Sequence, residues 1–451
     1  MKQILFSGLI FFIFSLKAYP QASPTNNFTL EECLNYAYEN AAEARKSDID
    51  IEIAKASIKE TRGIGLPQID GQVELSHNYA IQTAFLPAQF LDPTAPEGSP
   101  PIAVRFGVAY SGLAGINVNQ MIFNGSYFVG LQAARTFKEL SVRNKEATKV
   151  EISANVSKAY FSVLVSQERL ALLDKNLSRL DSTVRETRAL YENGFAEKLD
   201  VDRLEVSYNN LKLEQDNTQR LYDLSIELLK FQMGMSVKES LAVQGKISDY
   251  ELMQVSDAEI APVYENRIEY NLLETNENLL QLDLKNQRTN YLPNLSAFFT
   301  FGYNAGTDEF DGLFDFGNNW FQYGVVGLRL NIPFFDGGQR EYKIQQTKLE
   351  MKKMEIDREN LEKSIDFESK QAQINYRNAV TSLTTQKENM ELAQEVLRVT
   401  RIKYVEGVGS NLEVVDAETS YKEAETNYYS ALYDALVARV DLQKALGNLV
   451  E

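Results

Sequence analysis

The sequence predicts an α+β membrane protein, in which long coiled-coil helices carry a small antiparallel sheet and the whole arrangement occurs twice along 451 residues. Three observations predict it. Four segments alternate apolar and polar residues for longer than most soluble strands do. Two stretches, Gly125 to Gly194 and Gly338 to Gly407, contain no proline, and Gly130 is their only internal glycine. The third observation is an internal repeat, sought before any local structure is assigned.

Tyr191-Glu192-Asn193-Gly194 recurs 213 residues later as Tyr404-Val405-Glu406-Gly407. At the same offset Leu199-Asp200-Val201 matches Leu412-Glu413-Val414, Glu205 matches Glu418, and Met233-Gly234 matches Leu446-Gly447. Upstream, Phe123-Asn124-Gly125 matches Phe335-Asp336-Gly337 and Leu66-Pro67 matches Leu292-Pro293, at the slightly different offsets that loop-length changes require. The chain therefore divides into a leader over 1–22, a first repeat over 23–234, an equatorial linker over 235–262 and a second repeat over 263–451.

The leader reads as a secretory signal. Lys2 supplies the positive start, Ile4 to Leu16 is an apolar run, and Ala18 and Ala22 are small residues suited to cleavage. The run is shorter than the ~20 residues a transmembrane helix needs. No other stretch can span as a helix, so any membrane crossing must be a β-barrel. Cys33 lies well past the leader, on a first helix over Leu30–Arg62, and is expected to pack as a small apolar residue.

The first strand carries Ile69, Val73, Leu75, Tyr79 and Ile81 on one face and Asp70, Gln72, Glu74, Ser76 and Asn78 on the other. His77 falls among the apolar positions and reads as an interfacial residue rather than a ligand. A Pro-rich loop, Phe85 to Pro101, leads to a second strand over Val104–Ile122. Leu295, Ala297, Phe299, Phe301 and Tyr303 form the apolar face of the third, and an acidic, Gly-rich loop from Asn304 to Asn319 follows. The fourth, Phe321–Ile332, changes parity near Gly324 to Gly327, which predicts a bulge there. Each meets the ~9–11 residues of a tilted membrane strand. A soluble antiparallel sheet with one face on a core is the competing account, and four strands alone close no barrel.

Some 60 helical residues give a helix of roughly 90 Å. Leu170, Leu173, Leu177, Leu180, Val184 and Tyr191 step by three and four, as do Met390, Ala393, Leu397 and Tyr404. Antiparallel coiled-coil hairpins follow, turning at Gly194 and Gly407. Pro67 and Pro293 end a helix and favour extended backbone where a strand begins. Asn124 and Asp336 can cap the next helix, and Gly125 and Gly337 permit the sharp turn into it.

Composition excludes several classes. A net charge of −17 argues against a broad nucleic-acid surface. One cysteine permits no internal disulfide, and one histidine leaves little for metal or acid–base chemistry. No nucleophile–histidine set, zinc spacing or phosphate loop is present, so neither an enzyme nor a cofactor is expected. Glu413 and Asp416, three apart just after the Gly407 turn, share one helix face. On the residues alone that face is either functional or a solvated acidic helix start favoured by the dipole.

The duplicated order of helix, Leu-Pro, strand pair, Phe-Asn/Asp-Gly and long hairpin resembles the outer-membrane efflux proteins of the TolC type, over residues 28–450. The resemblance implies a homotrimer whose three chains pool four strands each into a twelve-stranded transmembrane β-barrel, set in outer-membrane lipid and continuous with an α-helical barrel in the periplasm. It implies a passive exit duct for efflux or type I secretion, served by a periplasmic adaptor protein and an inner-membrane pump. Glu413 and Asp416 would then form stacked acidic rings at the pore constriction. Tyr404 and Asp200 match a hydrogen bond that latches the tip shut, and the turns at Gly194 and Gly407 would meet the adaptor. The chain departs from the family pattern at Gly409, where an arginine is expected, and at Leu199, its expected polar partner. A periplasmic coiled-coil adaptor that never enters the membrane is the alternative.

Overall fold

The computed structural model describes residues 26–250 and 261–450; the expected leader over 1–22 and part of the linker lie outside them. The first repeat contains β1 (Asn26–Phe28), α1 (Leu30–Asn40), α2 (Ala42–Ile64), β2 (Gln68–His77), β3 (Thr83–Leu86), α3 (Ala88–Leu91), β4 (Ile102–Arg105), β5 (Tyr110–Phe123), α4 (Gly125–Glu192) and α5 (Lys198–Met233). Then come β6 (Leu241–Val243), α6 (Ile268–Thr289), β7 (Asn294–Thr307), β8 (Trp320–Asn331), α7 (Gln339–Val405) and α8 (Asn411–Leu446). No described helix is long and apolar enough to cross a membrane.

A capping box starts α1. The Thr29 hydroxyl accepts the Glu32 N–H at 3.3 Å, and the Glu32 carboxylate takes the Thr29 N–H at 2.8 Å. The helix expected over Leu30–Arg62 is broken at Ala41, whose ψ of 139° is extended. Both Leu-Pro steps fall between a helix and a strand: α2 ends at Ile64 before β2, and α6 ends at Thr289 before β7.

The four long strands form one antiparallel sheet in the order β2-β5-β7-β8. Its register places Ile69, Val73, Ile116, Val118, Phe299 and Phe301 on one face, continued on β8 by Val326, Leu328 and Leu330. The opposite face carries Asp70, Gln72, Glu74, Asn117, Asn119 and Thr300. Polar pairs cross the strands there, with Thr300 Oγ1 donating to Asn117 Oδ1 at 2.8 Å and Ser76 and Ser111 sharing a bond of the same length. His77 stands on the apolar face, stacked on Tyr110 with ring centroids 4.5 Å apart.

Three strand expectations need correction. The first strand stops at His77 rather than Ile81, leaving Tyr79 almost fully exposed beyond it. The second, expected over Val104–Ile122, is two strands. Gly107, at φ 139°, interrupts the extended run; β4 pairs with β3 in a separate ribbon, and β5 begins only at Tyr110. The bulge expected near Gly324 to Gly327 is absent. The β7–β8 register runs unbroken from Asn294 opposite Asn331 to Ala305 opposite Trp320. The sheet's one shift falls instead between Met121 and Phe123. Glycine is the physical reason. Phe298 stands against the bare backbone of Gly327, and Tyr323 reaches over Gly302 and Gly115. The strand can therefore move its apolar residues to the other face without an extra residue.

At 68 and 67 residues, α4 and α7 each extend ~100 Å. The largest core lies where α1, α4, α5 and α8 meet, around Cys33, Tyr160, Leu164, Leu229, Met233 and Leu436. The Tyr160 hydroxyl donates to the Gln244 carbonyl at 2.7 Å, tying α4 to the segment after β6, and β6 pairs in parallel with β1. Cys33 is fully buried in this core and packs as a small apolar group, and burial pushes its thiol up to about 12. The two repeats close alike. Gly234 and Gly447 end α5 and α8 at φ 75° and 80°, and a Cβ on either would meet the carbonyl oxygen of Asn40 or Asn266 at 2.5 or 2.6 Å. Those asparagines sit in a Tyr-Glu-Asn triplet at 38–40 and again at 264–266, a second signature of the repeat.

Candidate functional site at the hairpin tips

Each hairpin turns through the same geometry. Gly194 and Gly407 adopt φ 81° and 74°, a left-handed conformation that costs glycine little. Behind them the Phe195 N–H donates to the Leu190 carbonyl at 2.8 Å, and the Val408 N–H to the Lys403 carbonyl at 2.9 Å. These pairs are again 213 residues apart. The turns leave Phe195 and Val408 about four-fifths exposed, although both are apolar.

Ser410 caps α8, its hydroxyl accepting the Glu413 N–H at 3.3 Å. Glu413 and Asp416 are exposed one turn apart, while Asn411, Val414 and Ala417 are buried on the other side of the helix. Neither carboxylate has an ion-pair partner among the described residues of the chain. The acids thus stand exposed as a pair on one face of α8.

Tyr404 and Asp200 both lie at the tips, but no hydrogen bond joins the phenol to the carboxylate within the chain. A different residue connects the hairpins. The buried Asn411 side chain donates through Nδ2 to the main-chain carbonyl of Asp200 at 3.2 Å. Gly409 packs its backbone on Lys403, where a Cβ would lie 3.0 Å from the lysine Cβ. An arginine in its place would need that neighbour to move.

Further from the tip, each hairpin carries an ion pair between its own two helices. Arg401 pairs with Glu418 across the second hairpin at 2.5 Å, and Arg188 pairs with Glu205 at the equivalent place in the first. Glu425 of α8 is buried and accepts from Asn176 Nδ2 of α4 at 3.2 Å. Burial, reinforced by Glu214, pushes its carboxyl up to about 7, against the opposing pull of Arg169, Lys422 and Arg179. A cavity of about 230 Å³ adjoins it, lined by Asn176, Arg179, Arg401, Glu418, Tyr421 and Glu425 among others. Neither Asn411 nor Glu425 is an expected site residue. The sequence did carry a signal: α8 buries Val414, Ala417, Tyr421, Tyr429, Leu432 and Leu436, and Glu425 stands on that stripe where an apolar residue belongs.

At the strand–helix switches, Asn124 accepts the Tyr127 N–H at 3.2 Å. Gly125 brings α4 against Thr289 and Leu292, leaving no room for a Cβ. Asp336 accepts the Gly338 and Arg340 N–H groups at 3.1 and 3.0 Å and pairs with Arg340 Nε at 2.7 Å. The Arg340 side-chain bond above all holds its carboxyl below the usual range. Arg340 itself is a missed residue. It also donates to the carbonyls of Asn290 and Pro333 and covers the Tyr291 ring, so one guanidinium joins the end of α6 to the start of α7. Among the described residues no cluster of His, Cys, Asp or Glu could hold a metal.

A duplicated hairpin-and-strand chain of this kind has known counterparts. The sequence pattern of the outer membrane efflux protein family matches residues 34–234 and 273–448. The chain belongs to that family. The outer membrane protein TolC of Vibrio cholerae is 21% identical over 339 residues, 75% of this chain and 77% of that one. The Escherichia coli TolC is 20% identical over 97% of this chain and 85% of its own length. In three dimensions the fold is similar to the outer membrane channel MtrE of Neisseria gonorrhoeae, with a TM-score of 0.67 at 19% identity, covering 93% of this chain and 89% of that one. The protein is accordingly an outer-membrane protein of the efflux family.

Proposed function

We propose that three copies of this chain form a passive exit duct, which takes substrates from an inner-membrane pump and periplasmic adaptor to the exterior and catalyses no reaction. One observation carries the reading. The four-stranded sheet has unlike faces and two edge strands, β2 and β8, each paired on one side only. Four strands cannot close, and open edges are not tolerated in lipid, so several chains must pool their strands. Exposed apolar residues on the hairpins, Val206, Leu213 and Leu224 of α5 and Ile356, Phe367 and Leu392 of α7, support the same association.

Within that duct Glu413 and Asp416 form the acidic constriction, repeated in each copy, and favour cations. Tyr404 and Asp200 border the mouth where the two hairpins must part. The turns at Gly194 and Gly407, with Phe195 and Val408 exposed, offer the apolar tips to an adaptor. Light scattering of the detergent-extracted protein, corrected for detergent, should give a trimer that conducts in planar bilayers. A stable, non-conducting monomer would overturn the reading in favour of a periplasmic coiled-coil protein.

A further inference from the structure

Asn411 opens α8 beside the acidic pair, yet the residue is only 4% exposed. Its Nδ2 donates to the main-chain carbonyl of Asp200, across the gap between the two hairpins. Its Oδ1 is buried and has no hydrogen-bond partner. A cavity of about 110 Å³ adjoins it, lined from the first hairpin by Thr183, Glu186 and Leu204 and from the second by Arg401, Tyr404 and Val414. Arg401 Nε, on the wall of the same cavity, is likewise buried without a partner. One orphan acceptor and one orphan donor thus border a single small space at the mouth.

Buried amides ordinarily satisfy both ends, and a half-satisfied one holds its surroundings weakly. A contact that must yield when an export mouth opens suits that description, since closure can only be held by what a partner can outweigh. We propose that Asn411 is the clasp of the mouth, a positioning residue that holds the second hairpin to the first through the Asp200 main chain. The inference rests on the reading of the hairpin tips as a channel mouth. Because the acceptor is backbone, the identity of the side chain at position 200 does not matter to the clasp.

Asn411→Asp tests the donor. It preserves shape and acceptor capacity, and an acid suits the start of a helix, so α8 should still form. It replaces the NH2 group offered to Asp200 by an oxygen that only accepts when ionised, and it brings a negative charge to the contact. In a Val414→Cys background, a buried thiol on the cavity wall reports opening through its alkylation rate, with the fully buried Cys33 as the unreactive reference. Asn411→Asp should raise that rate and the single-channel opening frequency roughly tenfold, about the worth of one net hydrogen bond. Asp200→Ala should leave both within twofold of the parent. A merely structural role would lower the melting temperature of the trimer without changing alkylation under native conditions, and that result overturns the proposal. So does an Asp200→Ala effect equal to that of Asn411→Asp, since the carboxylate would then be the closing group. If the parent protein forms no channel, the proposed function fails, while the alkylation rates still decide the clasp.

Discussion

Glu425 gives the seam between the hairpins a calculable pH dependence. Its carboxyl stands at about 7 in the folded chain against an ordinary value of 4.5, because burial disfavours the charged form and Glu214 adds repulsion. Arg169 and Arg179 of α4 and Lys422 of α8 only partly offset this. That gap corresponds to about 3 kcal/mol. The sign follows from proton counting. Between 4.5 and 7 the closed seam holds a proton that the opened seam has released, so packing around Glu425 weakens as pH rises through that window and levels off above it. Glu425→Gln is permanently neutral and should abolish the slope. Hydrogen exchange of the α8 amides around Glu425, corrected for intrinsic rates, reads local opening directly. Wild-type protection there should fall by roughly a hundredfold from pH 5 to pH 8, an effect the about 3 kcal/mol can supply. The Gln variant should stay flat and exceed the wild type at pH 8. Parallel slopes in the two proteins would refute the assignment of the charge penalty to Glu425.

The mouth and the repeat closures supply further tests. Neutralising the acidic pair with Glu413→Gln and Asp416→Asn should move the zero-current potential in a salt gradient toward that of an unselective pore; an unchanged potential would place these carboxylates away from the conduction path. Gly447→Ala and Gly234→Ala each force a Cβ onto a left-handed backbone and into the Asn266 or Asn40 carbonyl. Each should cost ~1–3 kcal/mol and lower the temperature of helix loss by similar amounts, whereas wild-type melting of either would show that the two repeats do not close through these glycines.

Much of the architecture was legible because it is periodic or punctuated locally. Alternation at period two marked the four long segments, proline and glycine marked the handovers at Pro67, Pro293, Gly125 and Gly337, and the 213-residue offset aligned the two hairpins to the residue. Where the signal was a break in a pattern, it misled. The parity change in β8 read as a bulge, yet the glycines of the sheet seat Phe298 and Tyr323 and keep the register continuous. The alternation from Val104 onward concealed Gly107, whose single dihedral angle ends one ribbon before β5 begins. The contacts between the hairpins were least legible. A latch between Tyr404 and Asp200 could be expected by resemblance, but this chain joins its hairpins through Asn411 and a main-chain carbonyl, which no side-chain motif encodes. Asn176 and Glu425 meet across 249 residues of sequence. Periodicity reports which face of a helix is buried. Only the packing of α8 against α4 decides that a carboxylate on that face is shut away from water and raised to about 7.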